Sequence, residues 1–279
     1  KTSEKILGKK VTVHEKDSEH PSVRNPSNEK AKKLLHWSPS ITLEEGLKTL
    51  EGESNTPLVS ICIPAYNSGA YISRALASCI NQTYKNIEIV VGDNASTDKT
   101  REIILEYAKH DTRIKFFQNE SNIGSSNNYL KCAEYATGKY IQALASDDWL
   151  SRNYVEEGVR SFLENPKAGA IFANITTLEI MPKSKPRFLS RTKLKPGKYS
   201  AKWFFQRAYK HPYLGSMGYQ TLMRRDDFIK GTKRALSNPE NFLDRGDRLE
   251  LTDISVFREV LIEYDCFVVT EKSMVILTA

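Results

Sequence analysis

From Pro57 onward, the sequence alternates short apolar runs rich in Val and Ile with longer segments whose apolar residues recur at helical spacing. The apolar runs predict five strands, Leu58–Ile63, Ile87–Val91, Ile114–Phe117, Tyr140–Leu144 and Ala168–Ile175. The intervening segments predict helices at Ile72–Ile80, after a cap at Ser96 or Thr97, at Ser125–Tyr135 and at 151–165. Because strand and helix alternate, the pattern predicts an α/β domain with a mostly parallel central sheet flanked by helices.

The first 54 residues differ from the rest, because they are polar and are interrupted by prolines. Ser27 can cap one short helix, and Thr42 with Glu45 has the spacing of a capping box that opens a second. Neither helix can bury much apolar surface by itself. The sequence therefore predicts a short helical appendage over residues 1–54 and one main domain over residues 55–279.

Composition restricts the class of protein and its compartment. No apolar run reaches the roughly 20 residues that a membrane-spanning helix needs, and no secretory leader opens the sequence. The four cysteines lie in apolar runs without C-x-x-C spacing, which favours buried thiols and argues against zinc or disulfides. We therefore expect a soluble, cytoplasmic protein.

Positive charge is concentrated in one segment of the chain. Met181–Ala235 holds 15 Lys or Arg against two acids, Asp226 and Asp227, whereas the whole chain has a net charge of +7. The segment is either a solvated basic face or a rim that attracts an anionic donor, an anionic acceptor or lipid phosphates at the inner face of the membrane. No nucleic-acid recognition module accompanies it, so we expect no nucleic-acid partner.

Polar residues follow three of the predicted strands, at Pro64–Asn67, Asp93–Asp98 and Ser146–Asp148, and Asn122–Gly124 lies between them. Singly, these residues could be helix caps or solvated turns. In an open parallel sheet, however, the carboxyl ends of the strands converge on one ligand-binding edge. Two adjacent carboxylates repel each other, and a divalent cation that bridges to a diphosphate would offset that repulsion.

Five motifs in order make the resemblance to a known family specific: "VSICIPAYN" from Val59, "VVGDNASTDKT" from Val90, "NIG" from Asn122, "GKYIQALASDDWL" from Gly138 and "RRDDF" from Arg224. From Thr56 to Ala279 the chain resembles a family two glycosyltransferase of the A-type fold, which has a Rossmann-like sheet.

The resemblance implies a nucleotide-sugar site and a metal site. Tyr66 would stack on the nucleobase, and Asp93 would hydrogen-bond it. Asp147 and Asp148 would hold the ribose and a Mg²⁺ or Mn²⁺ ion. Many members carry an acid where Ala145 stands, so which of the two remaining acids ligates the metal stays open. The residues that the resemblance assigns to the nucleotide sugar are Pro64, Ala65, Tyr66, Asn67, Asp93, Asn94, Ser96, Asn122, Gly124 and Asp147.

The family's general base best matches Asp253, which precedes a segment of helical periodicity. A carboxylate there can take the proton from an acceptor hydroxyl as that oxygen attacks the anomeric carbon, in a single inverting displacement. Asp253 could instead be a first-turn acid favoured by the helix dipole, and Asp244 and Asp247 are rivals for the catalytic role.

The stretch from Ser3 to Leu50, which includes "NPSNEKAKKLLHWSPSITLEEGLKTL", resembles the C-terminal end of extended short-chain dehydrogenase/reductases that act on nucleotide sugars, such as epimerases and dehydratases. No G-x-G-x-x-G follows a strand, so we expect no oxidoreductase activity. The resemblance is a hint about the pathway only.

Two hypotheses for the whole chain follow. The first is an enzyme that transfers a sugar from a nucleoside diphosphate donor, preferably a UDP-sugar, to a glycan or lipid-linked acceptor in surface polysaccharide assembly. The second is a binding or scaffold protein that keeps the fold without turnover. Acceptor recognition would fall to an aromatic segment whose residues could equally form a small core: Trp203, Phe204, Tyr209, His211 and Tyr213.

Overall fold

The structure is a computed structural model that describes Lys33 and residues 56–179, 187–190, 194–207, 221–238, 242–244, 249–251 and 253–278. Contacts between residues of the chain define Pro57–Ala279 as one compact unit. The predicted appendage of residues 1–54 lies outside the described residues apart from Lys33, so its two helices and its resemblance to reductases stay predictions.

Helices and strands alternate through the first half of the unit and become mixed in the second. The helices are α1 (Ile72–Ile80), α2 (Thr100–His110), α3 (Ser125–Tyr135), α4 (Tyr154–Glu164), α5 (Ala201–Arg207), α6 (Arg225–Ser237) and α7 (Asp253–Leu261). The strands are β1 (Val59–Ala65), β2 (Ile87–Asp93), β3 (Ile114–Gln118), β4 (Tyr140–Ala143), β5 (Trp149–Leu150), β6 (Ala170–Glu179), β7 (Arg187–Ser190), β8 (Gly197–Ser200), β9 (Thr221–Arg224), β10 (Phe242–Asp244), β11 (Leu249–Leu251) and β12 (Cys266–Thr278).

One large sheet organises the unit, in the order β3-β2-β1-β4-β9-β6-β12-β5, with β7 beside β6 and β8 beside β12. Strands β3, β2, β1 and β4 pair in parallel, as do β6 and β12. The predicted α/β fold class is confirmed. The sheet is nevertheless more mixed than predicted, because β9 inserts antiparallel between β4 and β6. Its four residues enter directly into α6 and show no alternation that would mark them as a strand.

The five predicted strands correspond to β1, β2, β3, β4 and β6, and α3 has the predicted bounds. Alternation within β1 explains how the sheet is covered on both faces. Ile61 and Ile63 pack with helices α1, α2 and α4, whereas Cys62 between them packs with α3, α6 and α7 on the other face. All four cysteines are buried free thiols, as predicted. Burial raises the pKa of Cys79 to about 12.

The amino ends of β1 and β2 are held by one buried carboxylate. Glu88 Oε1 accepts hydrogen bonds from Ser60 Oγ at 2.6 Å, from Thr137 N at 2.6 Å and from Gly138 N at 3.2 Å. Its other oxygen accepts an ion-paired hydrogen bond from Lys115. Burial alone would raise the pKa of Glu88, but these donors outweigh it and lower that pKa to about 2. Glu88 therefore stays ionised and cross-links this end of the sheet.

No helix among the described residues is long and apolar enough to cross a membrane.

Candidate active site

A cavity of about 730 Å³ opens at the carboxyl ends of the first strands, where an open parallel sheet binds its ligands. Seven of the predicted nucleotide-sugar residues line it: Pro64, Ala65, Tyr66, Asn94, Asn122, Gly124 and Asp147. Five residues that the motifs did not assign also line it: Ser125, Asn128, Tyr129, Ala145 and Ser146. Asn67, Asp93, Ser96 and Asp148 are absent from this lining.

Asn67 and Ser96 join the loops after β1 and β2. The backbone amide of Asn67 donates to Ser96 Oγ at 2.9 Å, and Asn67 Oδ1 accepts from the amide of Thr97 at 2.9 Å. Asn67 adopts a φ of 47° and Ala95 a φ of 62°, both in the left-handed region that residues other than glycine rarely occupy. These long-range hydrogen bonds hold two strained residues beside the cavity.

Asp98 ties the same two loops together from the other side. Its Oδ2 accepts from the amide of Gly69 at 2.9 Å, and its Oδ1 accepts from the amide of Thr100, the first residue of α2, at 2.9 Å. Desolvation opposes ionisation, but these hydrogen bonds lower the pKa of Asp98 below its usual range. The prediction that Ser96 or Thr97 caps α2 is wrong, because α2 begins later and Asp98 accepts its first amide.

Asp93 is fully buried beneath the cavity. Its Oδ1 accepts from the amide of Ser96 at 3.1 Å, and its Oδ2 accepts from Gln118 Nε2 at 3.0 Å. In the structure, this carboxylate therefore holds the end of β2 to the end of β3. Its predicted hydrogen bond to a nucleobase stays a prediction.

A network of asparagine side chains shapes the wall of the cavity formed by the loop before α3. Asn94 Nδ2 donates to Asn122 Oδ1 at 2.8 Å, and Asn94 Oδ1 accepts from Asn119 Nδ2 at 2.9 Å and from the amide of Ile123 at 3.0 Å. Asn119 Nδ2 also donates to Asn128 Oδ1 at 3.1 Å. The network explains how Asn128, a helix residue that no motif marked, comes to line the cavity.

Gly124 forms the turn that aims α3 at the cavity. Its φ of 83° is accessible to glycine without strain, and a Cβ atom added there would meet no atom within 4 Å. The requirement for glycine is therefore conformational. Because α3 starts at Ser125, its first backbone amides and the positive end of its dipole lie beside the cavity.

Tyr66 presents a ring to the cavity and is 42% exposed. An exposed aromatic ring at the wall of a cavity can stack on a flat ligand group. Tyr129, from α3, lines the same cavity but is buried. The helical spacing of Tyr129 with Cys132 and Ala133 indicates only a core residue, so sequence reasoning missed it.

The two acids after β4 differ in their access to the cavity. Asp147 is exposed and lines the cavity, whereas Asp148 is only 6% exposed and does not. The amide of Asp148 donates to the carbonyl of Ala145 at 3.1 Å and closes the turn. Of the two acids, Asp147 thus offers its carboxylate to a cavity ligand.

Within the described part of the chain, no group of three or more His, Cys, Asp or Glu side chains could hold a metal ion by themselves. Mg²⁺ in proteins is usually held through one or two carboxylates together with substrate phosphates and water, and rarely by an all-protein cage. A single accessible carboxylate in a polar cavity fits that mode of binding.

Asp253 is the first residue of α7, the position that the sequence predicts for a general base. The placement of its side chain lies outside what the structure describes. Asp244 ends β10 with its side chain likewise outside, and Asp247 is outside the described residues altogether. The choice among these acids therefore stays a prediction.

The aromatic segment divides between core and surface. Phe204 is 1% exposed and packs edge-on against Phe257 and Phe267, so for this residue the core interpretation is confirmed. Trp203 is partly exposed and lies 4.8 Å from Tyr199, measured between ring centroids. The other predicted acceptor residues, Tyr209, His211 and Tyr213, lie outside the described residues.

Comparison with known proteins points to one family. The sequence model of the family described as glycosyl transferase family 2 matches residues 60–230. The chain is 39% identical over 108 residues to UDP-Glc:alpha-D-GlcNAc-diphosphoundecaprenol beta-1,3-glucosyltransferase WfgD of Escherichia coli, a match that covers 39% of this chain and 42% of that protein. The chain spans less than half the length of the curated relatives that it matches first.

Solved structures share the fold at low sequence identity. The structure resembles S. aureus TarS 1–349 in complex with UDP-GlcNAc, with a TM-score of 0.59 and 17% identity over 79% of this chain and 58% of that one. It also resembles the mannosyltransferase PcManGT from Pyrobaculum calidifontis in complex with GDP-Man and Mn²⁺, with a TM-score of 0.52 and 16% identity over 88% of this chain and 62% of that one.

Proposed function

Because this chain belongs to glycosyl transferase family 2, we propose that it transfers a sugar from a UDP-sugar to a hydroxyl of a glycan or lipid-linked acceptor in surface polysaccharide biosynthesis. The observation that carries the proposal is the cavity at the carboxyl ends of β1 and β4, which combines the exposed ring of Tyr66 with the exposed carboxylate of Asp147. Its volume of about 730 Å³ lies in the range of small-molecule sites.

The donor would bind with its base toward Tyr66. Aromatic rings stack on bases at about 1 to 3 kcal/mol per base, and the amides of Asn94 and Asn122 supply hydrogen-bonding groups in the same cavity. The choice of uridine rests on similarity, since one relative is named for UDP-Glc and one solved structure of the same fold contains UDP-GlcNAc.

We assign the divalent cation, Mg²⁺ or Mn²⁺, to Asp147, with Asp148 as the buried neighbour that adds negative charge to the turn. Carboxylate oxygen is a hard ligand that suits these ions, and a solved structure of the same fold contains Mn²⁺. When bound, such a cation supplies charge neutralisation for the departing diphosphate.

Asp253 would act as the general base from the start of α7. Its carboxylate would take the proton of the acceptor hydroxyl while that oxygen bonds to the anomeric carbon and the bond from that carbon to the diphosphate breaks on the opposite face. The single displacement inverts the anomeric configuration. No covalent intermediate on the protein is involved.

The Asp253→Ala variant tests this assignment. We expect transfer to fall by about 10²- to 10⁴-fold while UDP binding stays within about twofold, because a general base acts on the acceptor and not on the donor. Steady-state transfer and calorimetry with UDP measure the two quantities. Asp244→Ala tests the rival acid and should retain transfer if Asp253 is the base. Loss of UDP binding in Asp253→Ala would reassign that residue to a structural role.

Basic residues on α5 and before it support contact with an acidic acceptor or lipid surface. Lys195, Lys198, Lys202 and Arg207 are all exposed, and clustered Lys and Arg attract anionic lipid headgroups. We propose peripheral contact at the inner face of the membrane. Sedimentation with phosphatidylserine-containing vesicles should carry the protein down at low salt, and equal recovery with neutral vesicles would contradict the contact.

A screen of nucleotide sugars for donor hydrolysis tests the overall function. We expect one UDP-sugar to be hydrolysed above background in the presence of Mn²⁺, because water can replace the acceptor in the displacement. A protein that binds UDP but neither hydrolyses nor transfers any donor would instead be a binding or scaffold protein.

A further inference from the structure

Arg74, a residue of α1 that no motif marked, reaches across to the two acids after β4. Its Nη2 donates to the backbone carbonyl of Asp147 at 2.6 Å. Its guanidinium carbon lies 4.0 Å from the centroid of the Trp149 ring. The side chain therefore runs along the turn from Asp147 to Trp149, and Asp148 lies between its two contacts.

The charge of Arg74 acts on both acids. Partial burial lowers its pKa, while the neighbouring charges of Asp148 and Asp147 oppose that shift. A guanidinium remains protonated at neutral pH despite such a shift. A permanent positive charge is thus held at the turn that carries both carboxylates, which would otherwise repel each other.

A second attachment holds the same turn from the loop after β1. Ser68 Oγ lies 2.6 Å from Ser146 Oγ, within hydrogen-bonding distance, and the amide of Ser68 donates to Thr100 Oγ1 at 2.6 Å. The turn from Ser146 to Trp149, which carries both acids and is called the acid turn below, is therefore held at Ser146 by a hydrogen bond and at Asp147 by Arg74. The attachment at Ser146 does not involve Arg74, so one anchor of the turn remains when the charge of Arg74 is removed.

We propose that Arg74 is a positioning residue that also serves as a resident countercharge, and that it weakens the affinity of the acid turn for a divalent cation. The proposal rests on the proposed function, in which Asp147 faces the cation of a metal–diphosphate complex. A cation that neutralises the acids in the empty site competes electrostatically with an incoming metal ion. Binding of the free metal would then be weak until a diphosphate supplies further oxygen ligands.

Two substitutions separate the charge of Arg74 from its packing, because a countercharge and a purely structural role predict different changes in Mn²⁺ affinity. Arg74→Met keeps an apolar chain against Trp149 but removes the charge and the hydrogen bond to the carbonyl of Asp147. Because Ser146 still holds the turn, the acids should bind Mn²⁺ more tightly. Arg74→Lys keeps the charge and loses the planar stacking and the fork of donors. If Arg74 were merely structural, both variants would loosen the turn, and neither would gain affinity.

The test is a titration of the full chain with Mn²⁺ alone, followed by the electron paramagnetic resonance signal of the free ion. We expect Arg74→Met to bind Mn²⁺ about five to ten times more tightly than the unmodified protein, and Arg74→Lys to stay within about twofold. The matched control is Arg152→Met, which removes an exposed arginine near the same turn and should change the affinity by less than about twofold.

Unchanged or weaker Mn²⁺ binding by Arg74→Met would overturn the inference, provided that circular dichroism shows the variant folded. If Mn²⁺ binding by the unmodified protein is too weak to measure, the inference still requires measurable Mn²⁺ binding by Arg74→Met. No measurable binding by that variant would contradict the inference. Failure of the proposed function has a different signature, because UDP binding would then be insensitive to Mn²⁺ and to Asp147→Ala.

Discussion

The amino and carboxyl ends of strands β1 and β2 differ in their polar groups and in their backbone conformation. At the amino end, Glu88 is buried, ionised and supplied with donors from Ser60, Thr137 and Gly138. At the carboxyl end, Asn67 and Ala95 adopt left-handed conformations around an open cavity. The carboxyl end thus combines left-handed backbone and an open cavity with buried amides such as Asn94 and Asn128, whereas the amino end holds a buried, ionised carboxylate.

This difference indicates which end of the two strands contributes most to the stability of the sheet. A buried carboxylate with several donors is costly to disrupt, because removing its charge weakens each of those hydrogen bonds and breaks its ion pair. A cavity edge can then hold exposed side chains and strained backbone, whose interactions become useful once a ligand binds. We therefore expect substitution of Glu88 at the amino end to change stability, and substitution of the exposed cavity residues Tyr66 and Asp147 at the carboxyl end to change binding.

The largest effect is expected at the amino end, for Glu88→Gln. An amide keeps the shape and an acceptor oxygen for Ser60 Oγ and the backbone amides, but it loses the charge and places an NH₂ donor against the ammonium of Lys115. The free energy of unfolding should therefore fall by about 3 kcal/mol. Urea denaturation measures this loss. The control Glu134→Gln removes a partly exposed acid and should cost less than about 0.5 kcal/mol. Weaker UDP binding by a folded Glu88→Gln would contradict the expectation that this end affects stability and not binding.

The pH dependence of stability tests whether the charge of Glu88 is the source of its contribution. The pKa of Glu88 is about 2 in the folded protein and 4.5 in its unperturbed state, so the unfolded chain binds the proton more readily. The contribution of Glu88 should be complete above pH 4.5 and be lost as the pH falls from 4.5 toward 2. The stability difference between the unmodified protein and Glu88→Gln should therefore shrink over this window. A constant difference would show that the charge of Glu88 is not its source.

At the carboxyl end, Asp147→Ala should produce the next largest effect. We expect UDP binding in the presence of Mn²⁺ to weaken by about 10- to 100-fold, because the exposed carboxylate is the assigned metal ligand. Binding without metal and the free energy of unfolding should change little. Calorimetry and urea denaturation measure these quantities, with Asp226→Ala as a control that removes an acid whose side chain is 90% exposed. A destabilised Asp147→Ala would show that this end also supports the fold.

A smaller effect is expected for Tyr66→Ala. Loss of one stacking partner should weaken UDP binding by about tenfold, with or without metal. The control Tyr135→Ala removes a tyrosine that is 55% exposed at the far end of α3 and stacks on Phe117. Its UDP affinity should stay within about twofold. Equal effects of the two substitutions would argue against a base platform at Tyr66.

The smallest effect is expected for Ala95→Gly. Glycine occupies a φ of 62° without the steric cost that alanine meets there, so unfolding should become about 0.5 to 1 kcal/mol less favourable. In contrast, Ala133→Gly within α3 should destabilise the protein, as glycine does in helices. A destabilised Ala95→Gly would show that the strain at Ala95 is smaller than the entropy that glycine adds to the unfolded chain.

Local patterns in the sequence predict much of the fold. Apolar runs rich in Val and Ile predict β1 to β4, and helical spacing predicts α3 to the residue, because both patterns depend on neighbours along the chain. The insertion of β9 between β4 and β6 does not follow from such patterns. Its partners lie far away in the sequence, and four residues are too few for periodicity to distinguish a strand.

The candidate site shows the same division. Strand-end loops predict that Tyr66, Asn94 and Asp147 share one cavity, because parallel strands end on one edge. The different access of Asp147 and Asp148 and the reach of Arg74 depend on contacts between distant side chains. No spacing rule specifies those contacts, so motif reasoning assigns both acids alike and overlooks Arg74.

The central claim is that the cavity beside Tyr66 and Asp147 binds a nucleoside diphosphate with a divalent cation. Calorimetric titration of the unmodified protein with UDP, in Mn²⁺ and separately in EDTA, tests it most directly. We predict saturable binding that is at least about tenfold tighter in Mn²⁺, as expected when a cation links Asp147 to the diphosphate. Identical isotherms under both conditions, or no binding in either, would contradict the account.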